Sequence, residues 1–253
     1  MSESNSSAVV TGGASGLGRA VVEMLRGRGV GVVIADRNIE TGKQTASDLD
    51  AVFVETDVSS EESSGRAVDA AVELGPLRLV VNCAGVAPSQ RLIDRHGTLL
   101  SVKRFEIIVR VNLIGTFNVM RHAAAAMSAN TPNADGERGV IVNTASVAAF
   151  DGQAGQIAYA AAKAGVVGMT LPATRDLSPV GVRVCAIAPG VIDTPLAAQM
   201  DEKNRAALEQ IIQQPKRPGK PSEFAALVAH IVDNPYLNGE VIRLDGGLRM
   251  PPK

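Results

Sequence analysis

Ser146, Tyr159 and Lys163 fall within the stretch SVAAFDGQAGQIAYAAAK, and Tyr159 is one of only 2 tyrosines among 253 residues. Tyr159 and Lys163 are four positions apart in AYAAAKAG, a run of strong helix formers. That spacing places them on one helix face, one turn apart. A phenol titrates near pH ~10, too high for a base at neutral pH, and a nearby ammonium lowers that value by favouring the phenolate. Ser146, at the end of the strand before this helix, can donate a hydrogen bond to the same substrate oxygen and stabilise charge developing there. The trio suits an alcohol/ketone site in which Tyr159 moves the proton, Lys163 tunes it and Ser146 positions the oxygen. Y-x-x-x-K alone is common on solvated helix faces, so the reading depends on what else the chain carries.

A partner for that chemistry is written near the N-terminus. TGGASGLG at 11–18 follows a β-branched run and opens a helix. Gly12 allows the tight turn. Gly16 and Gly18 let backbone approach a dinucleotide diphosphate, which would rest on free N–H groups at the helix N-terminus. The next strand ends at Asp36, whose carboxylate can accept both adenosine ribose hydroxyls and repel a 2′-phosphate, favouring NAD over NADP. Arg37, next to it, is the opposing feature, since a guanidinium can hold a 2′-phosphate. A nicotinamide held here would exchange hydride with the alcohol or ketone carbon.

The elements that must position these residues follow one rhythm. Apolar, β-branched runs recur at 6–11, 30–35, 51–54, 77–82, 139–145, 182–188 and 240–244, with little strict alternation, as expected of strands buried on both faces. Helical patterns lie between them at about 17–28, 39–49, 61–74, 103–129, 157–177 and 221–233. Strand, helix, strand implies right-handed crossovers and an α/β, doubly wound parallel sheet. No linker divides the chain, so a single domain over 1–253 is expected. Two stretches break the rhythm: 86–102, and 189–220, for which a short helix and a substrate-covering role are expected.

Bulk properties exclude other classes. A net charge of −1 gives no sign of a nucleic-acid surface. The 2 cysteines, Cys83 and Cys185, lie far apart in apolar runs, so a disulfide framework is not expected. His96, His122 and His230 are isolated, and no metal site is expected. No apolar run approaches the ~18 residues of a membrane span. MSESNSS reads as neither a secretory signal nor an Arg-rich transit peptide, so a cytoplasmic protein without membrane partners is expected.

Together these motifs identify a resemblance to the short-chain dehydrogenases/reductases over nearly the whole chain. It rests on T-G-x-x-x-G-x-G at 11–18, Asp57, NCAG at 82–85, Asn112 in VNLIGTF, Ser146, Tyr159, Lys163, and PG at 189–190 with Thr194 beyond. The resemblance implies a seven-stranded Rossmann-type sheet in the order 3-2-1-4-5-6-7. It implies Asn112, Ser146, Tyr159 and Lys163 as catalytic residues, with Asn112 bending its helix and holding a water that links Lys163 to solvent. It implies NAD contacts from Gly12, Ser15, Gly16, Leu17 and Gly18, from Asp36, and from Asp57 and Val58 at the adenine. Cys83, Ala84, Gly85, Tyr159 and Lys163 would meet the cofactor further along, with Pro189, Ile192 and Thr194 beside the nicotinamide. The stretches 138–172, 175–184 and 234–250 are similar to a branch of the family whose substrates include acyl-CoA thioesters and some steroids. In that branch Gln153 matches a substrate-pocket position, beside Ser146 and Tyr159. The activity implied is NAD-dependent interconversion of 3-hydroxyacyl-CoA and 3-oxoacyl-CoA. A hydroxysteroid or other secondary-alcohol dehydrogenase, a 3-oxoacyl carrier-protein reductase and a noncatalytic scaffold are the alternatives. Family members are usually homotetramers, and the resemblance implies the same here.

Overall fold

A computed structural model describes residues 6–199 and 202–252. The strands are β1 (Ser7–Thr11), β2 (Gly31–Asp36), β3 (Val52–Glu55), β4 (Leu77–Asn82), β5 (Gly139–Thr144), β6 (Val182–Pro189) and β7 (Val241–Leu244). The helices are α1 (Gly16–Gly27), α2 (Ile39–Leu49), α3 (Glu61–Leu74), α4 (Val102–Val109), α5 (Gly115–Ser128), α6 (Ile157–Leu177), α7 (Glu202–Gln210) and α8 (Pro221–Asp233). All seven strands pair in parallel in the order β3-β2-β1-β4-β5-β6-β7, as the resemblance implies. The order reverses between β1 and β4, the point where a crevice opens above the carboxyl ends of a doubly wound sheet.

The near-continuous apolar strands are explained by cover on both faces. Along β1, Ala8 and Val10 face one way, onto Val21, Val22 and Leu25 of α1 and Phe224, Val228 and Ile231 of α8. Val9 faces the other way, into a cluster with Ala67 and Val68 of α3 and Val119, Ala123 and Met127 of α5. Each buried Val, Leu, Ile or Phe contributes about 1.5–3 kcal/mol, which no one-sided strand could match.

The helical pattern at 103–129 is one continuous helical run over 102–128 with a wider turn inside it. A π-helical turn, Arg110–Ile114, joins α4 to α5. Asn112 sits in it, buried, and its side-chain Nδ2 donates to the Ile108 carbonyl (2.9 Å) and to the Val86 carbonyl (2.8 Å). A side chain that takes a carbonyl from the helical ladder forces the wider turn. The 86–102 stretch is organised too. Ile93 and Leu99 form an antiparallel bridge, and Asp94 Oδ1 accepts the His96 and Thr98 N–H groups (2.8 and 2.9 Å) to close the reversal.

In the 189–220 stretch the expected short helix is α7. Its two roots are tied together by a parallel bridge between Ile192 and Gly219, and Arg217 holds Glu223 of α8 through two contacts (3.0 and 2.6 Å). That fork holds the Glu223 carboxyl well below its ordinary value, at about 2.

Arg183 closes the amino end of β6 against α8. It is buried, pairs with Glu137, and donates to the carbonyls of Ile231 (2.9 Å), Leu237 (2.6 Å) and Val232 (3.2 Å). Replacing it strands a carboxylate and three carbonyls at once. Arg183→Met is therefore expected to cost about 3–5 kcal/mol, read as a lower midpoint in urea unfolding followed by circular dichroism. A midpoint unchanged from the native protein would show that solvent satisfies those groups.

Candidate active site

The turn after β1 is built for close approach. Gly12 and Gly16 have φ values of +65° and +53°, which side chains other than glycine rarely adopt. A Cβ on Gly12 would stand 2.9 Å from the Ala84 backbone, and one on Gly18 only 2.2 Å from the Gly12 carbonyl oxygen. The start of α1 is also unusual beside its neighbours. Asn38 caps α2 and Ser60 caps α3 with side-chain oxygens, whereas Ser15 makes no side-chain cap on α1. The first-turn N–H groups of α1 are thus left for another acceptor. They open into a cavity of about 260 Å³ lined by Gly12, Ser15, Gly16 and Leu17 at one side.

The same cavity runs to Asp36 and Arg37, past Thr56 and Val58, and along Cys83, Ala84 and Gly85 to Thr194. An uncapped helix N-terminus in the middle, a carboxylate at one end and glycine-lined walls fit a dinucleotide. Asp36 is only half-buried, and its oxygens accept the Ala14 N–H (3.1 Å) and the Asn38 N–H (3.0 Å), which aim the carboxylate along the cavity wall. Arg37 is exposed on the same wall.

Behind this wall lie polar residues whose contacts the sequence does not show. Thr11 Oγ1 accepts the N–H groups of Cys83 and Ala84, both at 3.1 Å. Asn82 Nδ2 donates to Asn143 Oδ1 at 2.9 Å, and Thr11 and Asn82 stand in register, as do Asn82 and Asn143. A buried polar row thus crosses β1, β4 and β5 at their carboxyl ends. A polar residue closing each of three adjacent apolar strands was the available signal.

Ser146 follows β5 and caps a short turn by accepting the Ala148 N–H (3.1 Å). Its hydroxyl also acts on the Tyr159 phenol, favouring the phenolate. Lys163 is buried, with Nζ 5.8 Å from the centre of the Tyr159 ring and a 2.7 Å hydrogen bond to the Thr144 carbonyl. Ser146, Tyr159 and Lys163 therefore converge, and Asn112 approaches from α4–α5. The Gly85 backbone lies between: a Cβ there would be 2.7 Å from Asn112 Oδ1 and 3.7 Å from Lys163 Nζ.

The electrostatics differ from the expectation for Tyr159. Burial pushes the phenol above its ordinary value, and the Ser146 hydrogen bond only opposes that rise. Burial also lowers the pKa of the Lys163 ammonium, which donates to the Thr144 carbonyl, to about 8, with Cys83 opposing that fall. The Cys83 thiol, with Thr144 Oγ1 3.7 Å from its sulfur, is pushed up by burial to about 12 and remains a thiol.

Other expected residues stand further off. Asp57 turns its carboxylate to the Ser59 N–H and hydroxyl (3.0 and 2.8 Å), and Thr56 and Val58 on either side of it line the cavity. Thr194 lines the cavity, 3.4 Å from where a Gly16 Cβ would sit, while Pro189 and Ile192 are buried and do not line it. Gln153 donates through Nε2 to the Pro251 carbonyl (3.1 Å) and lines a separate hollow between 91–93 and 152–160. Among the described residues no helix is long and apolar enough to cross a membrane.

Residues 6–205 match the model of the short chain dehydrogenase family. The chain is 51% identical over 252 residues to 3-hydroxyacyl-CoA dehydrogenase type-2 of Drosophila melanogaster, covering 98% of this chain and 99% of that one. It is 48% identical to the Homo sapiens protein of the same name, covering 97% and 95%. A crystal structure of 3-hydroxyacyl-CoA dehydrogenase type-2 from Mycobacterium avium superposes with a TM-score of 0.93 at 47% identity, covering 98% of each chain.

The depressed pKa of Lys163 has a measurable sign. Below pH 8 both folded and unfolded chains hold its proton, and the folded protein carries the whole cost of burying the charge. Between about 8 and the ordinary 10.5 the folded protein has released a proton that the unfolded chain keeps, so stability rises with pH. Lys163→Met lacks this gain. The variant's advantage over the native chain should therefore shrink across that window by about 3 kcal/mol, measured by denaturant unfolding at successive pH values. A pH-independent difference would mean that the ammonium is solvated.

Proposed function

Because the chain belongs to the short-chain dehydrogenase family, and so is an oxidoreductase, we propose that it is an NAD-dependent dehydrogenase interconverting 3-hydroxyacyl-CoA and 3-oxoacyl-CoA. The observation that carries this reading is the convergence of Ser146, Tyr159 and Lys163 beside a dinucleotide-shaped cavity that ends at Asp36. The acyl-CoA substrate is argued from relatives near 50% identity that are named for it.

When bound, NAD supplies the hydride acceptor, and NADH the donor, for the substrate carbon. The uncapped start of α1 would hold its diphosphate, and Asp36 would hold the adenosine ribose and disfavour a 2′-phosphate. Gly12, Ser15, Gly16, Leu17, Gly18, Val58, Cys83, Ala84, Gly85 and Thr194 shape the walls. Asp57 stands between Thr56 and Val58 of the wall, with Oδ1 on Ser59, and Pro189 and Ile192 are buried beside the Thr194 segment. Ser146 donates to the substrate oxygen. Tyr159, whose high pKa keeps its proton at neutral pH, donates that proton to a ketone oxygen and recovers it from the alcohol in the other direction. Lys163 keeps one N–H on Thr144 and directs the others toward the ring and the gap at Gly85. Asn112 lines the far side of that gap, where a water could pass the proton onward. Gln153 and the 189–220 stretch border the substrate side, the latter as a cover hinged where Ile192 meets Gly219. Exposed Ile107, Ile114 and Phe117 on α4, the π turn and α5 support work as an oligomer, a tetramer on this reading.

Acetoacetyl-CoA should consume NADH rapidly, followed by nicotinamide absorbance, with kcat/KM for NADPH lower by at least about tenfold, as a like-charge contact implies. Asp36→Ala should narrow that gap, since Arg37 stays. No turnover with either cofactor would remove acyl-CoA as substrate and direct the search to steroids and other secondary alcohols. Tyr159→Phe should lower kcat by about 10²–10⁴-fold while leaving the NADH dissociation constant near the native value. Retained turnover would refute its role as proton carrier.

A further inference from the structure

Arg243 lies on β7, outside the residues assigned above, yet it joins three segments that border the site. Its Nη2 donates to Asp151 Oδ2 (2.7 Å), in the loop between Ser146 and Tyr159, and to the Leu248 carbonyl (3.0 Å), where the C-terminal tail begins. Its Nε donates to Asp245 Oδ2 (2.8 Å), and its guanidinium lies 5.3 Å over the Phe150 ring. Asp245 in turn packs on the turn after β6: a Cβ on Gly190 would stand 2.8 Å from the Asp245 Cβ, and the Gly190 N–H donates to Leu244 (2.9 Å). The tail then runs along the same loop, taking hydrogen bonds from Gln153 Nε2 at Pro251 and from the Ala154 N–H at Pro252 (both 3.1 Å). Arg243 and Asp151 are each about one-fifth exposed, at 22% and 21%, so water competes only partly for this pair.

We propose that Arg243 is a positioning residue for the substrate side of the site: by clamping Asp151 to Asp245 and the C-terminal tail, it holds the 147–156 loop at a set distance from the Pro189–Gly190 turn. The proposal rests on the alcohol/ketone reading of Ser146 and Tyr159, since that loop joins the two. Only a planar fork can serve a carboxylate on each side and a carbonyl together, so lysine is a poor substitute. Arg243 touches no reacting atom. Its loss loosens the loop that borders the substrate and leaves the cofactor wall at 11–18 and 82–85 intact.

The test compares Arg243→Gln, Arg243→Lys, Asp151→Asn and the Gln/Asn double variant with the unaltered protein. Acetoacetyl-CoA kinetics, NADH titration and amide hydrogen exchange are read for each. The expected result is a KM raised about tenfold with kcat changed much less, and an NADH dissociation constant within about twofold of native. The amides of Asp151 and Ala154, bonded to Val147 and Pro252, should exchange at least about tenfold faster. Arg243→Lys should not restore KM, and the double variant should be no worse than Arg243→Gln, because both changes break one clamp. Native exchange at both amides in the single variants overturns the proposal, and so does a loss of NADH affinity as large as the loss in kcat/KM. Asp151→Asn keeps the arginine and guards against a variant that fails to fold. If the unaltered protein does not turn over acetoacetyl-CoA, the substrate reading falls by itself, and hydrogen exchange still decides the role of Arg243.

Discussion

Polar side chains in a sheet buried on both faces must find partners inside the protein or cost several kcal/mol each. Thr11, Asn82 and Asn143 meet that constraint by lining up across β1, β4 and β5. Their pairing sets the relative heights of the three strands at the carboxyl edge, and the site inherits those heights. Thr11 holds the backbone of Cys83 and Ala84 so close to the first turn that Gly12 cannot carry a side chain. One residue beyond Asn143, the Thr144 carbonyl faces Lys163. The cofactor wall and the lysine are thus referenced to one row of hydrogen bonds.

Burial acts on the Tyr159–Lys163 pair in opposite chemical senses. It raises the phenol and lowers the amine, because each loses hydration of its charged form. The phenol keeps its proton at neutral pH, and the lysine titrates close to working pH. On the proposed mechanism the resting protein is set to give a proton to a ketone oxygen, and alcohol oxidation requires that the proton be passed on. The gap at Gly85, bounded by Asn112 and Lys163, lies where such a transfer would leave the site. The π turn that brings Asn112 there is the cost of directing its amide at Val86 and Ile108 instead of leaving the helix regular.

Much of the architecture was legible from local pattern. The seven apolar runs are the seven strands within a residue or two, and the helix expected inside 189–220 is α7. The glycines at 12, 16 and 18 stand where backbone needs them. The helical run expected at 103–129 is present at 102–128, while the contact of its π turn with Val86, distant in sequence, was not legible from local pattern. Asp57 Oδ1 closes its own turn onto Ser59, and Thr56 and Val58 on either side line the cavity, an arrangement that local pattern did not reveal. The partners of Thr11 and Asn143 were not legible, because a polar residue at a strand end shows no contact until its neighbours across the sheet are known.

Residue types and short spacings were sufficient for the order of strands and helices, the turn that accommodates a dinucleotide, and the placement of Tyr159 and Lys163 one helical turn apart. These depend on backbone sterics and on the 3.6-residue period of a helix, which act between near neighbours. Folding in three dimensions decided how each polar group is spent: Asn112 on Val86, Gln153 on Pro251, Arg243 on Asp151, and Lys163 on Thr144. It also decided the sign of the Tyr159 shift. Hydrogen-bond partners and local dielectric are set by whatever the fold brings alongside, and most of those neighbours lie tens of residues away in the chain.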